Sequence, residues 1–374
     1  MKNSINKILV AHSSNDNYGA SKILILVLEL LIKKGYQVHL LLPSNGPLNE
    51  NKIVKKTTVK IIKMGIFRRK YLNFFGLINR VFFIIKSSFY LRNYIIKNNI
   101  DFVYVNTSTL ISPVIASKIT RKNNLIHVHE IPAKSKIYSK FLVIFFNVFC
   151  DKFICVSKSV TEFWLKKGII KNKLKTITNG FIFKNPKSKS LNDQKIIFTS
   201  ISRIIPYKGH IFLIDLFHKL CKENNKINLQ IIGDTLPQYK NYIEKLKLMV
   251  RSIGLEDKIK FLGFKNDIKF ILNNSNFFIH TPILPDPFPT VIFEAIESKT
   301  PVITNNLGGG IEILNNGING LIIENKSVLN SCNKILDFID NKTLQKENVN
   351  NAFDYVCENF SLEKFENKIL NNIG

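Results

Sequence analysis

Short apolar runs alternate with stretches of helical spacing along the whole chain. In the first half, runs at 7–12, 37–42, 59–64, 101–106, 125–129, 152–157 and 174–179 read as strands. From about Ala20 to Lys34 the spacing is that of a helix, and helical segments lie between most of the other runs. Such alternation predicts a parallel sheet with helices on both faces. Several runs are almost wholly apolar, as expected of strands with no wet face. The polar segment 184–195, KNPKSKSLNDQK, interrupts the pattern and reads as a linker. The pattern then restarts, with strands expected at 195–202, 228–234, 258–264, 276–281, 301–305 and 320–324. The fold class is therefore α/β, with two Rossmann-like doubly wound domains at 1–183 and 195–360. A terminal segment, 361–374, carries a helix that is a candidate to pack back on the first domain. Open parallel sheets bind ligands beyond the carboxyl ends of their strands, so a cleft between the halves is the expected site.

Composition narrows the class. At 374 residues and 45% apolar content the chain can build two cores and is not disordered. Its five cysteines (Cys150, Cys155, Cys221, Cys332, Cys357) are scattered without a CxxC pair. That argues for a reducing compartment and against a zinc site or disulfide framework. The opening MKNSINKILVAH enters a strand pattern directly, without the features of a signal peptide. No uninterrupted apolar run approaches the ~20 residues of a spanning helix, so a cytoplasmic protein is expected. The net charge is +27, and it is one-sided. Residues 1–183 hold 30 Lys and Arg against 7 Asp and Glu, a net of +23; residues 184–374 hold 24 against 20, a net of +4. Such asymmetry suggests that the first half faces something anionic, beside the plain alternative of a lysine-rich composition.

The segment 281–320 carries most of the chemistry. Asp286 stands eight positions before Glu294, and the triple glycine Gly308–Gly310 follows a short strand. Glu294 falls on the first turns of a helix, and Gly308, Gly309, Gly310 and Ile311 open another. Carboxylates bind hydroxyls and helix-start amides bind phosphates, so the pairing suits a nucleotide sugar. The amides of Thr290 and Val291, just after Pro289, are further phosphate donors. Asp286, between Pro285 and Pro287, is stiffly held; its plain alternative is a turn residue. Glu294 suits a ribose diol, and its alternative is the wet face of an amphipathic helix, which fits Glu297 well. Arg203 and Lys208 lie in SRIIPYKGH, after a strand and before a helix, where two cations can grip a diphosphate and stabilise its departure. Either residue alone would pass for a solvated loop charge. His127 and His129 share one face of a strand, with Glu130 beside them. No further cluster supplies ligands for a metal there. His127 reads as a core residue, and His129, at the strand's end, as the functional candidate. Gly19, at the start of the first helix, lets backbone approach a phosphate or sugar closely. The chain has no GxGxxG, no P-loop and no DxD pair, so cations and helix ends, rather than a metal, must neutralise a diphosphate.

Taken together, these segments resemble the retaining glycosyltransferases of family 4, which have the two-domain GT-B fold. The resemblance runs over nearly the whole chain: YGASKILILVLELLIKKGYQV, CVSKSVTEF, ITNGFIF, SRIIPYKGH, IIGD, FLGF, PDPFPTVIFEA, PVITNNLGGGIEIL and NGING occur in the family's order. The family's paired glutamates eight apart appear here as Asp286 and Glu294, and Pro289 replaces a common glycine. The resemblance implies that Arg203 and Lys208 bind the donor diphosphate, Glu294 the ribose and Asp286 the donor sugar. Gly19 would sit at the diphosphate, His129 at the reaction centre, and the amides of Gly308–Ile311 would cap the donor. It implies retention of anomeric configuration by front-face attack, with no metal or other cofactor.

In this fold the first domain takes the acceptor, so its charge implies an anionic acceptor or membrane. The segments 66–96 and 136–149 mix Phe and Tyr with Arg and Lys and suit a bilayer interface; ordinary domain helices with basic outer faces are the alternative. The expected partners are a nucleoside-diphosphate sugar, a saccharide acceptor on a lipid, and an anionic membrane surface. A nucleotide-sugar epimerase of similar fold and an inactive scaffold are competing readings. A nucleic-acid binder is a third, but no nucleic-acid module is recognisable.

Overall fold

The structure is a computed structural model and describes residues 5–66, 74–131, 136–184 and 194–373. Most of the linker 184–195 and residues 67–73 of the basic aromatic segment lie outside the described residues. The chain forms two compact units: Met1–Gly180 with Leu362–Gly374, and Phe181–Ser361.

Unit 1 holds β1 (Lys7–Ala11), β2 (Gln37–Leu42), β3 (Thr58–Ile61), β4 (Phe102–Val105), β5 (Asn123–Val128), β6 (Lys152–Cys155) and β7 (Leu174–Thr176). They form one parallel sheet in the order β3-β2-β1-β4-β5-β6-β7. The inner strands are the apolar runs of the sequence; FVYV of β4 is buried throughout because helices cover both faces. Helix ends follow local chemistry. The helix Lys158–Lys167 begins where the Ser157 hydroxyl accepts from Val160 N–H, and ends at Gly168, whose φ of +105° turns the chain. That helix buries Trp164 against Phe153, with ring centroids 5.2 Å apart. Burial of each such side chain contributes about 1.5–3 kcal/mol.

Unit 2 holds β8 (Ile196–Ile201), β9 (Ile227–Ile232), β10 (Ile259–Gly263), β11 (Phe277–His280), β12 (Val302–Asn305) and β13 (Leu321–Ile323). Their order is β10-β9-β8-β11-β12-β13, again all parallel. Phe198 stacks on Phe277 at 4.8 Å and meets Phe217 edge-on at 5.1 Å in its core.

The division between units falls earlier than residue 183. Phe181 stacks on Phe293 at 4.1 Å, and its N–H donates to Phe360 O at 2.9 Å, so these aromatics belong to unit 2. The last helix, Leu362–Ile373, belongs to unit 1. Its Phe365 is buried with its ring 6.3 Å from that of His127, and Lys152 Nζ donates to Asn372 O at 2.9 Å.

Candidate functional site

In unit 2 the strand order reverses at β8, with β9 on one side and β11 on the other. The carboxyl ends of β8, β11 and β12 are neighbours there, which is where open sheets bind ligands. β8 runs into the loop that carries Arg203 and Lys208. Ile204 N–H donates to Asp234 O (2.9 Å) and the Thr235 hydroxyl to Ile204 O (2.8 Å), which pins that loop to the end of β9. The loop closes at Gly209, at φ +76°, where a side chain would collide with the Thr281 carbonyl. The helix His210–Glu223 follows.

Lys208 reaches the loop after β11, where its ammonium is hydrogen-bonded to Asp286 Oδ2. His280 Nε2 lies 3.0 Å from the same oxygen. The side chains of Lys208, Asp286 and His280 are 23%, 13% and 3% exposed, so this cluster is not a wet surface bridge. Burial opposes charge on Asp286, but Lys208 and the His280 hydrogen bond outweigh it and hold the carboxyl well below the ordinary range. Burial lowers His280 below its usual value, although Asp286 works the other way. The neutral imidazole then donates its Nε2 proton to Asp286. His280 escaped the sequence reading. Its signal was position alone, as the last residue of a strand at the edge that carries the site.

The backbone of Asp286 is fixed as tightly as its side chain. Gly309 N–H donates to Asp286 O at 2.8 Å, and Gly308, at φ +83°, leaves no space for a Cβ against the Asp286 backbone. Of the glycines expected to offer amides, Gly309 does not. The Gly309 amide is taken, and Gly308 and Gly309 allow the Asp286–Pro287 backbone to lie against them. Gly310 and Ile311 begin the helix Gly310–Ile313, and their N–H groups have no carbonyl one turn back within it. Thr290 and Val291 likewise open the helix Thr290–Glu297, in which Glu294 stands one turn further on, partly exposed. Glu297 has a structural part, accepting from Lys184 N–H (3.1 Å) and pairing with Lys269 (3.3 Å).

Unit 1 carries a second polar edge at the ends of β1, β4 and β5. His129 lies just past β5 rather than within it. Its Nε2 is 2.8 Å from Asn106 Oδ1, while Asn106 Nδ2 approaches Ala20 O and His12 Nδ1, both at 3.2 Å. His12 Nε2 lies 3.1 Å from Ser21 Oγ, which donates to Asp16 Oδ1 at 2.8 Å. Because the Asn106 NH2 group faces a carbonyl, its oxygen must accept from His129. Both rings then take the Nε2–H tautomer, and one direction of donation runs from His129 to Asp16. Burial, with His127 and His12 nearby, holds His129 well below its ordinary value, so it is neutral. Gly19 opens the helix Gly19–Lys33, next to Ala20, so Asn106 ties that helix start to His129. Sequence reasoning missed Asn106 and His12. Glu130 organises the loop after β4, accepting from Thr107 and Ser108 hydroxyls and the Ser108 amide at 2.6–2.7 Å. His127 is fully buried against the Tyr104 hydroxyl at 2.6 Å, and burial lowers it to about 3. Among the described residues, no group of three or more His, Cys, Asp or Glu could hold a metal ion.

Family descriptions match both units: Glycosyltransferase Family 4 over residues 18–182 and Glycosyl transferases group 1 over 181–355. The chain is 24% identical to the UDP-Gal:alpha-D-GlcNAc-diphosphoundecaprenol alpha-1,3-galactosyltransferase of Escherichia coli, over 99% of this chain and 97% of that one. It is 22% identical to an uncharacterized glycosyltransferase of Haemophilus influenzae, over 58% of this chain and 59% of the relative's length. Among solved structures, Anabaena HepE in complex with UDP and glucose superposes with a TM-score of 0.80 at 22% identity, covering 98% of this chain and 99% of that one. A sheet that reverses at β8, matched in fold by a GT-B protein and in sequence over both units, leaves one assignment: the chain belongs to glycosyltransferase family 4, is a transferase of GT-B fold, and is related to bacterial polysaccharide glycosyltransferases.

Proposed function

We propose that the protein is a retaining glycosyltransferase that moves a sugar from a nucleoside-diphosphate donor to a lipid-linked saccharide at the cytoplasmic face of a membrane. The observation that carries this reading is the Lys208–Asp286–His280 cluster at the point where the unit 2 sheet reverses. Lys208 and Arg203 neutralise the donor diphosphate, aided by the first-turn amides of Thr290, Val291, Gly310 and Ile311, so the reaction calls for no metal. Glu294 receives the ribose and Asp286 the sugar hydroxyls. As the glycosidic bond breaks, charge grows on the leaving phosphate, and fixed cations stabilise that state more than the bound donor. The departing phosphate takes the acceptor proton on the face the nucleotide leaves. In unit 1, His129, held neutral, is the group assigned to the reacting sugar and the Gly19 helix start the group assigned to the diphosphate. The HepE complex with UDP and the diphosphoundecaprenol acceptor of the Escherichia coli relative support donor and acceptor of these classes.

The membrane part rests on the helix Phe74–Lys97. Phe75, Ile78, Phe82, Ile85 and Phe89 recur at helical spacing and are 53–82% exposed, flanked by the exposed Lys86 and Arg92. The helix Lys136–Phe149 adds exposed Phe141, Ile144 and Val148. An apolar stripe edged with cations, in the half of the chain with a net of +23, is complementary to an anionic lipid surface. No helix among the described residues is long and apolar enough to cross a membrane.

A thermal-shift panel of UDP, GDP, ADP and dTDP sugars tests the donor. One should raise the melting temperature, and Glu294→Gln should abolish the rise. With the donor found, the anomeric proton coupling of the product reads the stereochemistry, and an inverted product would refute retention. Isomerised donor with no transfer would point to an epimerase.

A further inference from the structure

Unit 1 contains a cavity of about 380 Å³ at the carboxyl ends of β1, β2 and β3. That lies within the range of small-molecule sites, about 300–1,000 Å³. Ser14, Asn15 and Asp16 line it after β1, Ser44 after β2, and Lys63 after β3, with Arg80 entering from the helix Phe74–Lys97. Met64, Ile66 and Phe83 supply an apolar wall. The walls are built in advance of any ligand. Asn15 Nδ2 donates to Ser44 O (2.9 Å) and Asn49 Oδ1 (2.7 Å), and Asn15 Oδ1 accepts from Leu48 N–H (2.8 Å). One amide side chain thus fastens the loop after β1 to the loop after β2. The one carboxylate in the lining, Asp16, is already engaged by the Ser21 hydroxyl (2.8 Å) and the Tyr18 amide (3.1 Å). Lys63 and Arg80 against the one carboxylate leave the lining with a net charge of +1.

We propose that this cavity receives the diphosphate of a prenyl-diphosphate-linked acceptor, with Lys63 and Arg80 binding its phosphate oxygens and Met64, Ile66 and Phe83 meeting the first carbons of the lipid. The inference deepens the acceptor reading above and rests on it. The chemistry selects an amphiphilic anion. Arg offers a planar fork and Lys a compact charge, both suited to phosphate oxygens, while the apolar wall has no use for a free nucleotide's phosphate tail. The helix Phe74–Lys97 supplies the geometry. Arg80 and the buried Ile84, Leu91 and Ile95 lie on one side of it, and the exposed stripe Phe75–Ile78–Phe82–Ile85–Phe89 on the other. A helix with side chains is about 10–12 Å across. With the stripe sunk about 5–10 Å into the boundary between headgroups and acyl chains, the inner face stands at headgroup level. That is the height at which a lipid carrier holds its diphosphate. The loop 14–16 also leads directly to the Gly19 helix start, so the bound head lies next to the His12–Asn106–His129 chain.

Isothermal titration of the full chain with farnesyl diphosphate tests this, with farnesol as the uncharged probe and vesicles containing phosphatidylglycerol as the bilayer probe. Lys63→Gln and Arg80→Gln should each weaken farnesyl diphosphate about tenfold, the loss of one charge-assisted hydrogen bond. UDP binding and vesicle partition should be unchanged in both. Arg92→Gln, beside the outward stripe, should leave farnesyl diphosphate affinity within twofold of the parent. Lys63 is exposed, so its variant keeps the test open if Arg80→Gln misfolds. Equal farnesyl diphosphate affinity in parent and both variants overturns the proposal. So does a loss of vesicle partition with diphosphate affinity intact, which would assign these cations to the lipid surface. Because titration needs no turnover, failure of the transferase reading would show separately, as a parent chain that binds no nucleotide.

Discussion

Replacing Asp286 with Asn separates the two jobs assigned to the unit 2 cluster. The exchange keeps shape: Asn Oδ1 can still accept from His280 and from Lys208, and the backbone bond to Gly309 is untouched. What changes is the charge facing Lys208. Two unit charges about 4 Å apart attract by about 4 kcal/mol at an effective dielectric near 20. Desolvation of two mostly buried charges cancels most of that, so the pair is worth about 1 kcal/mol net. In the unliganded protein Lys208 must give up that interaction to meet a diphosphate. Asp286→Asn removes the competitor, so UDP should bind about fivefold tighter, the equivalent of about 1 kcal/mol. Turnover should move the other way. Without a carboxylate for the sugar hydroxyls, kcat should fall about a hundredfold, the scale seen when a preorganised polar contact of the transition state is lost. Lys208→Gln should behave oppositely toward UDP, weakening it about tenfold or more. Calorimetry with UDP and initial rates with the identified donor sugar read both quantities. If Asp286→Asn weakens UDP as much as Lys208→Gln does, the pair serves to hold two loops together and the assignment of Lys208 to the diphosphate fails.

Acid should destabilise both units, because burial lowers His127 to about 3 and His210 to about 4 while their unfolded forms titrate near 6.5. Between these values the unfolded chain binds the extra proton, so stability is lost as pH falls below 6.5; at pH 5 each histidine costs its own unit about 2 kcal/mol. Circular-dichroism melts at pH 8 and pH 5 should differ by at least about 4–8 °C, and coincident melts would refute the neutral assignment. Asn106→Asp turns the amide donor facing His12 and Ala20 into an acceptor and sets a carboxylate beside His129. The His129 C2 proton should then titrate at higher pH than in the parent, whereas an unchanged titration would mean that Asn106 does not set the ring's state. Phe82→Ser with Phe89→Ser should cut partition onto phosphatidylglycerol vesicles by tenfold or more without changing UDP affinity; equal partition would place the membrane contact elsewhere.

Every strand of both sheets was legible in the sequence: the inner strands because strands covered on both faces need unbroken apolar runs, and the partly exposed edge strands β3, β7 and β10 from their place between polar turns. Helical and strand periods say which positions are apolar but not what covers them. The helix Phe74–Lys97 shows the gap. Ile84, Leu91 and Ile95 make one buried face, and Phe75, Ile78, Phe82, Ile85 and Phe89 make an exposed one. A helix apolar on both sides reads as fully buried, so only its place at the surface separates a core helix from a docking helix. The site was legible to the same depth. Lys208 and Asp286 stood out by their neighbours in sequence, yet their pairing joins positions far apart in the chain and depends on β8 and β11 being adjacent. A triple glycine before a helix looks the same whether it faces a phosphate or another stretch of backbone, and here Gly308 and Gly309 face Asp286 and Pro287. His280 and Asn106 had no motif to mark them. Each directly follows or ends an apolar strand on the edge where its sheet reverses, β11 in one unit and β4 in the other. A polar residue at that position has its backbone fixed by the strand and its side chain at the mouth of the crevice. Applied to the strands at each reversal and the next one out, that rule would have selected His12, Asn106, His129, Ser202, His280 and Asn305 from the sequence, once each sheet's strand order was assumed. Four of these six take part in the polar networks around His129 or Asp286, while Ser202 bonds to His210 beside Lys208's loop and Asn305 donates to Pro282 O. The sheet's reversal, more than any single motif, is what gathers the chemistry of this chain.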